Sequence, residues 1–331
     1  MSEINLSHGS GSREMNSLIK MFDFFRGNWK NYDNDSATFE LRTLLRTLEL
    51  DNDNILTFTT DSFVVNPIFF PNANIGHLAF SGTINDLLVI GSKPLGLSLA
   101  FVIEEGFPYE DLMKIVETLK ELSFKYNVPI VTGDTKVMEK GKIDKIIINT
   151  SGLGLCKKTE LLTKKIEIGD KLILSGSLGE HAVALLSKRF NYETSIVSDS
   201  KPLIEEFNEI RYLIKQAKDP TRGGIASILN EMSERNNLGF LIDEEKIPVK
   251  NEVKKVVDLL GINLYELASE GRFLCISSKE NASIVLEKLR KFNSSAEIIG
   301  EVIEEKKVIL KTFLGNRILG MPSGRIVPRI C

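Results

Sequence analysis

Cysteine is scarce in this chain: Cys156, Cys275 and Cys331 are the only three, and they lie far apart. An odd, widely spaced set excludes a disulfide framework. Histidine is equally sparse. His8, His77 and His181 are isolated, so no Cys/His cluster has zinc-ligand spacing. No apolar run approaches the ~20 residues that span a bilayer. The segment from Met1 to Ser12 lacks the charged-then-apolar order of a secretory signal, and a soluble, cytoplasmic protein is expected. Nor does one sign of charge dominate. The net charge is −3 and no basic stripe carries interleaved aromatics, so neither a nucleic-acid nor a membrane-surface partner is expected. What is present is ordinary for globular proteins: 331 residues, 42% hydrophobic and 26% charged, enough for two buried cores.

The hydrophobic pattern reads as a mixture of elements. Residues 55–60 form an apolar, β-branched run that ends at Asp61 and predicts a strand. Residues 76–90 predict a helix, 95–103 a strand and 108–126 an amphipathic helix with Pro108 near its start. Residues 129–132, closing at Gly133-Asp134, and 143–155 predict two more strands. There is no regular parallel βαβ rhythm, so an α+β domain fits better than a doubly wound sheet. A polar connection over 157–170 marks a domain boundary. Beyond it, strands are predicted at 171–175, 240–242, 273–277 and 297–302. Helices are predicted at 179–189, 202–216, 223–235 and 282–291. The second block echoes the first in content, without a residue-level repeat. From Gly315 to Cys331, Gly315, Gly320, Pro322, Gly324 and Pro328 break any periodicity, and this stretch reads as an extended tail.

Acidic residues recur where apolar runs meet polar turns: Asp61, Asp86, Asp134, Asp219 and Glu270. Carboxylates converging on one cleft repel one another unless a cation lies between them, and Mg²⁺ commonly bridges carboxylates to nucleotide phosphates. The alternative for each is an ordinary turn or helix cap. Two small-residue elements could approach phosphate through backbone N–H groups: His8-Gly9-Ser10-Gly11 and Arg222-Gly223-Gly224 at a helix start. Neither matches the P-loop or dinucleotide fingerprint, and each could be a plain turn. Lys136 could offset phosphate charge or serve as a base, or be a solvated lysine. Cys156 and Cys275 lie in apolar stretches and read as core thiols. Cys331 is different: a thiol at the end of a jointed segment that, counted from Gly315, reaches about 50 Å when extended. Its own α-carboxylate raises the thiol pKa and Arg329 lowers it, so a reactive thiolate needs help from the place where it docks.

With these residues assembled, the chain resembles the HypE family of hydrogenase maturation proteins. That family lies in the superfamily of aminoimidazole ribonucleotide synthetase, selenophosphate synthetase and thiamine-monophosphate kinase. The resemblance is carried by His8-Gly9-Ser10-Gly11, Thr59-Thr60-Asp61-Ser62-Phe63, Gly82-Thr83-Ile84-Asn85-Asp86-Leu87 and Glu104-Glu105-Gly106. It continues through Thr132-Gly133-Asp134-Thr135-Lys136, Asp219-Pro220-Thr221-Arg222-Gly223-Gly224 and Pro328-Arg329-Ile330-Cys331. The Asp-bearing motifs point to the superfamily, and Pro-Arg-Ile-Cys points to the HypE family. Two positions depart from the family pattern: Ser12 replaces a second consecutive glycine, and Asn74 stands where an acidic residue is usual.

The resemblance implies two mixed α/β domains of the aminoimidazole ribonucleotide synthetase type with a flexible C-terminal tail. Residues 1–36 would hold the glycine-rich loop, 37–156 an ATP-binding and dimerisation domain, 157–312 the second α+β domain, and 313–331 the tail. It implies ATP and Mg²⁺ as cofactors and a homodimer. A carbamoyltransferase, HypF, would load a carbamoyl group onto Cys331. ATP-dependent dehydration would convert that group to thiocyanate, and a HypC–HypD iron carrier would receive the cyanide for a nickel–iron hydrogenase. Asp61, Asp86, Asp134 and Asp219 would hold metal and ATP phosphate. Asn85, Thr135, Gly9, Gly11, Gly223 and Gly224 would contribute further nucleotide contacts, and Glu270 or Lys136 would be the base. Two other readings remain: a superfamily kinase or synthetase acting on a free small molecule, and a non-catalytic nucleotide-binding scaffold.

Overall fold

The computed structural model describes residues 3–9, 17–18, 20–22, 24–28 and 53–323. Gly11, Ser12, Arg329 and Cys331 lie outside the described residues. The chain divides into two compact units. The first comprises Met1–Val65, Ala73–Leu87 and Ser92–Thr159. The second comprises Asn66–Asn72, Leu88–Gly91 and Glu160–Cys331.

The first unit is built on strands β1 (Asn54–Phe63), β2 (Lys93–Glu104), β3 (Ile130–Met138) and β4 (Ile146–Lys157), with helices α1 (Ile75–Val89) and α2 (Tyr109–Tyr126). The sheet order is β1-β4-β2-β3. The β1–β4 and β2–β4 pairs are antiparallel, and β2–β3 is parallel. Helix α2 is the crossover that such a parallel pair needs. Of the stripe at helical spacing, Leu112, Ile115, Val116, Leu119 and Leu122, it buries the first four and leaves Leu122 half-buried. Helix α1 is buried almost all round, and His77, Asp86 and Val89 are its only half-exposed residues. Asn74 precedes α1, and its Oδ1 accepts the Gly76 N–H at 2.8 Å. The residue that departs from the family pattern is thus a helix cap, a role for which an uncharged amide suffices.

Two strands are longer than their apolar runs suggest. Asp61 lies inside β1, and Gly133-Asp134-Thr135-Lys136 lies in the middle of β3. Main-chain pairing with β2 carries β3 through this polar stretch to Met138.

In the second unit, strands β5 (Lys171–Leu174), β6 (Ile214–Lys218), β7 (Gly239–Asp243), β8 (Leu274–Ser277), β9 (Glu297–Ile303), β10 (Val308–Thr312) and β11 (Gly315–Ile318) form one sheet in the order β11-β10-β7-β9-β5-β8-β6. Its helices are α3 (Glu180–Phe190), α4 (Ile204–Ile210), α5 (Gly224–Asn236), α6 (Asn251–Leu260) and α7 (Ala282–Arg290). Ile225, Leu229 and Met232 of α5 pack with Leu172, Leu174, Phe240, Ile242 and Leu310 of the sheet. Three expectations change here. The helix read over 202–216 stops at Ile210, and the chain re-enters the sheet as edge strand β6, paired with β8. Helical spacing of apolar residues there yields to strand pairing. Helix α6 is an addition to the elements read from the sequence. The stretch read as a tail from Gly315 begins as a strand, because Gly315–Ile318 pairs antiparallel with β10.

Cys156 and Cys275 are both buried and unpaired, as core thiols should be. Among the described residues, no helix is long and apolar enough to cross a membrane.

Candidate functional site

The first unit gathers three of the Asp-bearing motifs: Asp61 on β1 and Asp134 on β3 of the sheet, and Asp86 on α1. Along β1, alternate residues face α1. Thr59 is one of these, and its Oγ1 donates to Asp86 Oδ2 of α1 at 2.9 Å. Asp61 shares that face, and its Oδ1 accepts the Ser62 N–H at 2.8 Å. Beneath them, Thr83 and Thr150 hydroxyls meet at 2.5 Å, and Thr150 also donates to the Ala79 carbonyl at 3.2 Å. These buried bonds tie α1 to β4, and the Thr59 bond holds Asp86 against the face of β1 that carries Asp61. Asn85 is buried.

Asp134 sits differently. The register sets it opposite Ala100, which pairs with Asn149, which pairs with Ser62. That row alternates with the row of Asp61 and Thr150, so Asp134 faces away from α1. Its Oδ1 accepts the Thr135 N–H at 2.9 Å, and its Oδ2 lies 3.6 Å from Lys136 Nζ. The Lys136 side chain is 61% exposed, a solvated ion pair. Thr135 is buried on the helix side. The short 3₁₀ turn Leu6–Gly9 packs against β3, which brings Gly9 to this strand. Glu104 is structural. Its Oε1 accepts the Gly141 N–H at 2.7 Å and closes the loop before β4.

The second unit assembles Asp219, Gly223, Gly224 and Glu270. Gly223 and Gly224 both have positive φ, 76° and 58°, as the chain turns into α5. A Cβ on Gly224 would lie 2.6 Å from the Tyr265 carbonyl and 2.7 Å from that of Leu267. Only glycine lets the turn meet the 265–270 segment this closely. The two segments are also bonded: the Ser269 N–H donates to the Pro220 carbonyl at 2.9 Å. Glu270 is 4% exposed, and Asp219 is buried as well.

A buried polar network that the sequence reading missed holds Glu270 in place. The Glu270 N–H donates to Asp199 Oδ1 at 3.0 Å. A Cβ on Gly271 would fall 1.8 Å from the Asp199 carbonyl, so the two loops are pressed together. Arg272 donates to the Ser177 carbonyl at 3.1 Å, the Gly271 carbonyl at 2.9 Å and Glu180 Oε2 at 2.8 Å. Ser177 Oγ and Lys250 also bond Glu180. Burial pushes the Glu180 carboxyl up, but Lys250, Arg272 and Ser177 together hold it below the usual carboxylate range. Burial pushes Asp199 up, and Arg272, 3.8 Å away, only partly offsets this. The available signal was Arg272, two residues before the apolar strand β8. A cation at the mouth of a buried strand implies buried anions.

The expected metal ligands do not form one cage within the described chain. Asp61 and Asp86 share a face, Asp134 stands on the opposite face, and Asp219 belongs to the other unit. Among the described residues, no three His, Cys, Asp or Glu side chains are grouped to hold a metal ion.

Two mixed α/β units with acidic sheet motifs and a glycine turn at the start of α5 define the class. Residues 36–156 match the N-terminal domain, and residues 167–312 the C-terminal domain, of AIR synthase related proteins. The chain belongs to the HypE family of that class. It is 40% identical to carbamoyl dehydratase HypE of Bradyrhizobium diazoefficiens, over 99% of this chain and 96% of that one. A crystal structure of hydrogenase maturation protein HypE in complex with ATP superposes with a TM-score of 0.88 at 33% identity, covering 99% of both chains. A crystal structure of a HypE–HypF complex matches with a TM-score of 0.77 at 39% identity, covering 85% of this chain and 99% of that one.

Proposed function

We propose that this protein is an ATP-dependent carbamoyl dehydratase that works on a carbamoyl group carried by its own Cys331 and supplies cyanide for the iron centre of a nickel–iron hydrogenase. The observation that carries the reading is similarity along the whole chain to a carbamoyl dehydratase whose family fold is known with ATP bound. The carbamoyl oxygen attacks the γ-phosphorus of ATP, ADP leaves, and one proton departs from the nitrogen. Loss of the second N–H proton then drives the C–O bond to break. Phosphate carries the oxygen away, and an S-bound thiocyanate remains. An amide oxygen is a poor leaving group, and phosphorylation removes that obstacle.

The 13-residue α5, entered through the Gly223–Gly224 turn, offers a positive helix end to phosphate charge; the Gly224 N–H itself closes the turn on the Thr221 carbonyl at 3.2 Å, so Gly224 serves by letting the chain turn. Glu270 is the favoured base. It is buried, and its main chain is held by Asp199. Lys136, in its solvated pair with Asp134, better suits a counter-charge to phosphate. Mg²⁺, when bound, would neutralise developing phosphate charge. Asp61 and Asp86 offer a partial shell, in keeping with the preference of Mg²⁺ for one or two carboxylates plus phosphate oxygens. The remaining assignments, Asn85, Asp134, Thr135, Gly9, Gly11 and Asp219 as nucleotide contacts, belong to the same proposal.

The partners follow from the chemistry. A HypF-type carbamoyltransferase loads Cys331, and a HypC–HypD iron carrier takes the cyanide, all in the cytoplasm. The sheet face of the first unit that looks away from α1 supports a homodimer. Leu56 and Phe58 of β1 are exposed there, in register with Leu155 and Leu153 of β4.

Mass spectrometry of the peptide containing Cys331 tests the central claim. With the carbamoyltransferase and carbamoyl phosphate, a carbamoyl adduct should appear on Cys331. It should lose one water only when ATP is added. An unmodified Cys331 beside an active transferase would sink the proposal. A Cys331→Ala protein with full ATP-dependent turnover of a small molecule would favour a kinase or synthetase instead.

A further inference from the structure

The segment that leads toward Cys331 does not simply leave the second unit at the end of β11. Leu319 is 5% exposed and belongs to the hydrophobic core of that unit. Its N–H donates to the Val308 carbonyl at 2.9 Å. Its carbonyl accepts from Asn230 Nδ2, on α5, at 3.0 Å. The same Nδ2 donates to the Ala226 carbonyl at 2.8 Å, so both amide hydrogens of Asn230 are engaged. Two residues later, Met321 Sδ lies 3.7 Å from Ser227 Oγ.

The two contacts have a direction. As the chain advances from Leu319 to Met321, its partner on α5 moves from Asn230 back to Ser227, almost one helical turn toward the N-terminus. Three residues further along that line is Gly224, where the Asp219–Gly224 turn meets the Glu270 segment. Ten residues follow Met321 up to Cys331. Extended, they span at most about 33–36 Å. A tether held at Leu319 is shorter than one free from Gly315, so it confines its far end to a smaller volume and raises the effective concentration of a group it carries.

We propose that Asn230 is a positioning residue for the dehydration, clamping Leu319 on α5 so that the chain bearing Cys331 is delivered toward the Gly223–Gly224 turn. The inference rests on the proposed function but concerns a group that touches neither ATP nor the carbamoyl. The amide is needed for its two hydrogens. Aspartate has nearly the same shape but would face two carbonyl oxygens with a charge, whereas alanine merely removes the donors.

The test uses the full-length protein, carbamoylated on Cys331, in single-turnover dehydration with ATP, together with hydrogen exchange. Asn230→Ala should slow dehydration roughly fivefold to tenfold, the equivalent of one neutral hydrogen bond, and Asn230→Asp should slow it more. The ATP concentration giving half the maximal rate should stay at the wild-type value in both. Exchange at Leu319 should quicken in the variants while β7 stays protected. A rate within twofold of wild type would overturn the inference, as would an Asp variant milder than the Ala variant or a parallel loss of ATP affinity. If the wild type itself fails to dehydrate, the functional reading falls. Unchanged exchange at Leu319 in the variants would then dismiss the clamp independently.

Discussion

His181 shows how far one side chain's behaviour can depart from its sequence appearance. It lies fully buried in α3, with Nδ1 2.9 Å from Ser198 Oγ and the Phe70 ring edge-on at 5.3 Å. Nε2 has no hydrogen-bond partner among the described residues. Burial pushes its pKa down to about 3. The unfolded chain therefore binds a proton near pH 6.5 that the folded chain refuses until about pH 3. Stability from this residue is complete above the unfolded value and is lost as pH falls through that window. Denaturant titrations should show His181→Gln losing roughly 2 kcal/mol less than wild type between about pH 6.5 and about pH 5. Equal losses in the two proteins would show that His181 is not the acid-labile group. The sequence displayed a lone histidine and no more. Its neighbours, Ser198 and Phe70, come from distant positions that only folding brings together. The same holds for Asp199 and Arg272 around Glu270. Arg272 ahead of β8 hints at buried anions, but which anions it meets, and that Asp199 holds Glu270, is settled only by the pairing.

At the scale of elements, periodic patterns translate well and endpoints do not. The stripe of Leu112, Ile115, Val116, Leu119 and Leu122 predicts α2, because a helix with one apolar face has one way to bury it. Strand β3 reads as ending at Gly133-Asp134 because its apolar run ends there. Neighbouring main-chain groups on β2, invisible in the local sequence, extend it. That extension decides which face of the sheet Asp134 occupies, since a shift of one residue moves a side chain to the other side. The turn into α5 is legible as a motif, but the reason for its glycines is not. Gly224→Ala should cost at least ~2 kcal/mol, combining a left-handed φ with a Cβ forced against two carbonyls. Chemical denaturation would measure it, and a loss below ~0.5 kcal/mol would mean the 265–270 segment simply moves aside. Dehydration activity should fall with stability, because the same contact sets Glu270 beside the turn.

At the scale of the whole molecule, the sheet face bearing Leu56 and Phe58 invites a second copy of the chain. Phe58 is 69% exposed on a row that continues into Leu153 and Leu155, while Thr60, Ser62, Asn149 and Ser151 supply a hydrogen-bonded polar strip beside it. Sedimentation should find the wild-type protein dimeric and Phe58→Glu monomeric, with the fold of each unit intact because the side chain is not part of a core. A Phe58→Glu protein that remains dimeric would move the interface elsewhere. The sequence by itself determined the family, the order of the Asp-bearing motifs, the two-unit organisation and the thiol at Cys331. These are properties of residue type and spacing, and they survive without coordinates. Only the tertiary structure decided which carboxylates share a face, which buried charges hold Glu270, and where the chain leading to Cys331 is tied to α5. Those depend on strand register and on contacts between residues far apart in the chain, and no local pattern encodes them.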